Sequence, residues 1–102
     1  MCGIAGLLSL SNQFRASAER LTSMADSLVH RGPDASGIWL SHDYQVGMAH
    51  RRLSILDLTD SASQPMRSSC GKIIISFNGE IYNHHELRAS LSSNYKVYWN
   101  SD

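Results

Sequence analysis

GIAGLLS, residues 3–9, is a short run of small and branched apolar residues without charge, and its composition predicts a buried strand. The polar stretch at residues 11–17, SNQFRAS, carries turn residues and reads as a connection. Beyond it the period changes. Leu21, Met24, Ala25 and Leu28 recur at i, i+3, i+4 and i+7, which puts them on one face of a helix. Ser17 suits the N-cap and Glu19 the first turn. Gly32 and Pro33 are expected to stop the helix, glycine by taking the left-handed cap conformation and proline by being unable to continue it.

Residues 36–40 and 44–50 then flank Ser41-His42-Asp43, a polar connector of hairpin length. A short branched segment at 53–58 leads into a serine-rich loop, 59–71, holding Pro65. The continuous run KIIISF at 72–77 predicts a central strand buried on both faces. Asn83, with Glu86 three residues on, resembles a capping box and predicts a second helix, which Ser92, Ser93 and Asn94 end. Alternation in YKVYW at 95–99 reads as a last strand.

At 102 residues these elements amount to at most one small domain with a thin core. A strand followed only by Asn100-Ser101-Asp102 is an odd close for a domain, so the expectation is the N-terminal part of something longer. A hydrophobic content of 42% excludes a disordered chain. Net charge is zero and no basic stripe appears, so no nucleic-acid partner is expected. The apolar opening is too short for a membrane span and lacks the positive flank of a secretory signal. Cys2 and Cys70 form neither a disulfide framework nor a metal-like spacing, which points to the reducing cytosol.

Chemistry is suggested at a few places. Removing Met1 would leave Cys2 with a thiol and an α-amine on one residue. An α-amine, with a pKa of roughly 7.7–8.0, can serve as base for its own side chain. Position alone favours a buried structural thiol. Asn78 and Gly79 follow the apolar run and offer two adjacent donors for a developing oxyanion. Asn-Gly between apolar runs is also a hairpin signal, although little chain follows to form a return strand. Arg51 and Arg52, if in a strand, face opposite ways, so that one can line a pocket and fork onto a carboxylate while the other meets solvent. Glu80 and Asp102 are candidate partners for a substrate ammonium. The five histidines match no zinc spacing and read as solvated or structural, and Cys70 reads as an inert thiol.

MCGIAG, HRGPDASG at 30–37, HRRLSILDL at 50–58, QPM at 64–66, FNGEIYNHHELR at 77–88 and the terminal SD occur in one order from residue 2 to residue 102. Together they resemble the glutaminase domain of glutamine-hydrolysing asparagine synthetases, a class II glutamine amidotransferase of the N-terminal-nucleophile hydrolase superfamily. HRGPD with RRLSI favours that branch over relatives making glucosamine phosphate or phosphoribosylamine. The resemblance implies an α+β fold, here part of a four-layer αββα sandwich with antiparallel sheets. It implies Cys2 as nucleophile and Asn78 with Gly79 as oxyanion hole. Arg52 would hold the α-carboxylate of L-glutamine and Glu80 and Asp102 its α-ammonium, with the backbone of Leu53, Ser54, Ile55 and Leu56 alongside.

What is implied for 1–102 is the N-terminal portion of the amidotransferase domain, without metal or cofactor of its own. ATP and Mg belong to a C-terminal synthetase domain absent from this segment, which would be the partner consuming the ammonia; a homodimer is also open. A sugar acid or another carboxylate as acceptor, and an inactive segment kept as a binding or assembly module, are the alternatives.

Overall fold

A computed structural model describes residues 1–54, 62–92 and 94. Three strands, β1 (Gly3–Leu8), β2 (Ala35–Leu40) and β3 (Val46–Arg52), form an antiparallel sheet in the order β1-β3-β2. The hairpin expected between residues 36 and 50 is present, with Ser41 N–H donating to the Val46 carbonyl at 2.8 Å. Its loop is held by Asp43, whose carboxylate accepts from Ser41 Oγ at 2.6 Å and from Gln45 N at 3.1 Å. Those bonds, the Ser41 one foremost, keep the Asp43 carboxyl below its ordinary pKa.

Helix α1 (Ala18–Asp26) lies across one face of this sheet. Ser17 caps it as expected, its Oγ accepting from Arg20 N at 3.3 Å. Leu21 and Ala25 are fully buried against Ala49, with Ala5, Leu7 and Leu40 around them. The helix stops earlier than Gly32, however. From Leu28 on, the chain tightens into i→i−3 bonds: Leu28 N to Ala25 O, Val29 N to Asp26 O and Arg31 N to Leu28 O. Ser27 Oγ, donating to the Met24 carbonyl at 2.7 Å, takes up an acceptor at that end. Gly32 is not in the left-handed conformation. Its missing side chain matters because a Cβ there would overlap the Arg51 backbone.

Strand β1 is less buried than its composition suggests. Among the described residues it pairs with β3 alone; its residues alternate, and Ile4 is 48% and Leu8 65% exposed. Close approach of α1 depends instead on a small residue in the central strand. A Cβ on Gly47 would lie 2.7 Å from Leu21 Cδ1 and 2.9 Å from Cδ2. Gly47→Ala should therefore destabilise the protein by about 1–3 kcal/mol through overpacking, read as a lower urea midpoint at unchanged slope. An unchanged midpoint would show that the helix shifts freely.

A second antiparallel pair, β4 (Met66–Arg67) and β5 (Ile74–Ile75), is closed by a turn in which Gly71 has φ 72°. This corrects the expectation for KIIISF. Within that run only Ile74 and Ile75 are strand, with β4 as the one partner among the described residues, and Ile73 and Ile75 are 65% and 52% exposed. A central strand needs neighbours on both edges, and an apolar run cannot supply them. Helix α2 (His84–Ser92) begins directly after Asn83, whose carbonyl accepts from Leu87 N, and buries none of its residues. The expected strand at 95–99 lies outside the described residues. Mixed helices and antiparallel sheets agree with the α+β class and are consistent with part of a layered sandwich.

Candidate active site

The strand end at Cys2 is fastened by a loop that sequence reasoning gave no role. Arg31 Nε donates to the Cys2 carbonyl at 3.1 Å. Arg51 Nε in turn donates to the Gly32 carbonyl at 2.9 Å, and its Nη1 lies 4.0 Å from Asp26 Oδ1. Two residues later Asp34 N–H donates to the Arg52 carbonyl at 3.0 Å, while Asp34 Oδ2 accepts from Ser54 N at 2.7 Å. The segment 31–34 thus ties the start of the chain to the end of β3. Cys2 Sγ sits against Leu53, accepting from its N–H at 3.4 Å and lying 3.8 Å from its carbonyl.

The paired arginines separate as a strand requires, but neither simply meets solvent. Arg51 turns to the α1 face, where its side chain is only 13% exposed and works as a staple on the 31–34 loop. That corrects the expectation of one solvent-facing arginine: a guanidinium that meets the Gly32 turn carbonyl and the Asp26 carboxylate is drawn inward. Arg52 takes the opposite face and lines a small pocket with Ala35, Ser36, Gly37, His50 and Gln64.

His50 is inside β3 rather than at a strand end, and it is 1% exposed. Its Nε2 lies 3.2 Å from the Phe77 carbonyl. A carbonyl only accepts, so Nε2 carries the proton. Burial above all, with the Arg52 charge assisting, holds the imidazole below its ordinary pKa against the pull of the Phe77 bond, so it is neutral at neutral pH. Phe77 N–H donates to Gln64 Oε1 at 2.5 Å.

Asn78, half-buried, and Gly79, exposed, follow directly. They form no hairpin, since Ile81 to Asn83 lead into α2. Gly79 also lacks a positive φ; a Cβ there would press within 3.0 Å of the Phe77 ring. The NGE segment is joined to the strand that faces Cys2 through Phe77 and His50. Glu80 is exposed. Ile55, Leu56 and Asp102 lie outside the described residues. Leu53 and Ser54 are in place beside Cys2 and Asp34, as given above.

Cys70 is exposed and free. Its pKa is lowered, first by the Ser68 hydroxyl 3.4 Å away and then by the Lys72 backbone. Among the described residues no group of three or more His, Cys, Asp or Glu is placed to hold a metal, and no helix is long and apolar enough to cross a membrane.

Arg31, Asp34, His50 and Gln64 were missed as site builders. HRGPD and QPM were conspicuous as motifs, yet their bonds go to backbone groups far along the chain.

A family model described as a glutamine amidotransferase domain matches residues 1–102. An amidase of Gibberella zeae is 37% identical over 100% of the chain, which covers 16% of that relative. A glutamine-hydrolysing asparagine synthetase of Brassica oleracea is 44% identical over 100% of the chain and 17% of the relative. A second such synthetase, of Bacillus subtilis, is 44% identical over 89% of the chain and 12% of the relative. The chain therefore spans less than a fifth of the length of these relatives.

Proposed function

This chain belongs to the glutamine amidotransferase domain family, and on that premise we propose that it supplies the nucleophilic half of a site hydrolysing L-glutamine to glutamate and ammonia. The observation that carries the reading is the Cys2 position. Its thiol is seated on Leu53 beside Arg52, behind a Met1 that is 73% exposed and open to an aminopeptidase.

With Met1 removed, the α-amine of Cys2 takes the Sγ proton as sulfur attacks the carboxamide carbon. Negative charge moves to the amide oxygen, facing donors from Asn78 and Gly79. The protonated amine then gives its proton to the departing nitrogen, ammonia leaves and a glutamyl thioester remains. Water, losing a proton to the same amine, cleaves the thioester to glutamate and restores the thiol. Arg52 receives the α-carboxylate, with the α-ammonium assigned to Glu80 and Asp102.

Residues 1–102 are then the N-terminal portion of the amidotransferase domain in a longer, cytoplasmic protein. Its other domain would use ATP and Mg to activate aspartate for the ammonia. No step is assigned to those groups on residues of this segment, which offers no metal cluster among its described residues. A relative named an amidase also matches over the whole chain, and a second reading keeps the glutaminase with an acceptor other than aspartate.

Intact mass of the full-length protein tests the premise. The expected species lacks Met1 and gains one label at Cys2 from a glutamine-shaped electrophile. Retention of Met1 in active protein sinks the amine-as-base mechanism.

A further inference from the structure

We propose that His50 and Gln64 are positioning residues that clamp both backbone groups of Phe77 and thereby aim the Asn78–Gly79 donors at the oxyanion. This rests on the glutaminase reading above. The segment after β5 draws on such help: among the described residues ladder pairing stops at Ile75, and the Phe77 N–H and carbonyl are met by side chains. Two side chains supply what a sheet would: Gln64 Oε1 accepts from Phe77 N, and His50 Nε2 donates to Phe77 O.

Both clamps are rigidly mounted. His50 is buried in the central strand of the first sheet. Gln64 belongs to a loop pressed onto β2 so closely that a Cβ at Gly37 would overlap the Gln64 carbonyl. The Phe77 carbonyl belongs to the peptide that carries Asn78 N, so fixing its plane fixes where the Asn78 Cα sits, the point from which the side-chain amide and the Gly79 peptide both depart. Gly79 follows, held against the Phe77 ring. Along β3, His50 stands two residues from Arg52, roughly 7 Å, and Leu53 touches Cys2 Sγ. The clamp therefore anchors the donors to the same strand that seats the nucleophile.

Filling two backbone hydrogen bonds is also what a purely structural pair would do, so the test separates aim from integrity. In the full-length protein, on a Cys70→Ser background, His50→Leu and Gln64→Met remove the clamp. His50→Gln restores a donor and Gln64→Glu an acceptor. Steady-state glutamine hydrolysis should show kcat falling ~10–100-fold in the apolar variants, KM moving less than ~3-fold, and most of kcat returning in the conservative ones. Alkylation of Cys2 by iodoacetamide is a displacement that forms no oxyanion, and its rate should be unchanged throughout. Unaltered kcat, loss of kcat and alkylation together, or conservative variants as poor as the apolar ones each overturn the clamp. Should His50→Leu not fold, the Gln64 pair decides on the same readouts. Hydrolysis that survives Cys2→Ala removes the glutaminase reading itself, whereas hydrolysis lost there and intact in the clamp variants removes only this inference.

Discussion

Cys2→Ala in the full-length protein is expected to lower glutamine hydrolysis ~10,000-fold or more, the scale of losing a covalent nucleophile whose partners cannot act without it. Synthesis driven by added ammonia should persist, because the change touches nothing beyond the thiol. The more informative companion inserts one alanine between Met1 and Cys2. That variant keeps the thiol but places its nitrogen in a peptide bond, where it has no basicity. It should lose ~100–10,000-fold, the range for a positioned general base. Thiol chemistry that needs no amine would survive the insertion and fail only in Cys2→Ala. Release of glutamate from purified protein reads both, and activity above the stated range in either variant counts against the amine-assisted thiol.

Parts of this site and fold were legible because their causes are local. Ser17 caps α1 through a bond to a residue three positions on, and the 36–50 hairpin needs only its own loop chemistry. Where the cause is distant, the chain gave a wrong or silent signal. KIIISF carries the composition of a central strand, yet strand character there depends on neighbours, and among the described residues β4 alone pairs with it. Arg51 looked like a surface charge, because the carbonyl that draws it inward belongs to Gly32, nineteen residues away. His50 looked like one scattered histidine among five, since its partner is the backbone of Phe77, 27 positions later. A backbone acceptor has no residue type, so no motif records it. Cys2, Arg52 and Asn78-Gly79 stood out as candidates for the opposite reason: the chemistry proposed for them resides in the side chain or in the lack of one.

Asn78→Ala carries the second large effect. If the side-chain amide donates to the oxygen only as charge develops there, its loss should reduce kcat ~100–1,000-fold and leave KM within a few-fold. Arg52→Ala predicts the contrasting signature. A guanidinium on the substrate α-carboxylate acts equally in ground and transition states, so KM should rise while kcat changes far less. Asn78→Asp sharpens the case, because it preserves shape and replaces a donor with a negative acceptor facing the oxyanion. It should fall below Asn78→Ala, a result that lost packing alone would not give. Asn78 is only half-buried, lies outside the regular strands and is not in the buried core among the described residues, so neither variant opens that core. An Asn78→Ala protein with raised KM and intact kcat would make Asn78 a ground-state binding group, and the oxyanion would then have to be held by backbone N–H groups alone.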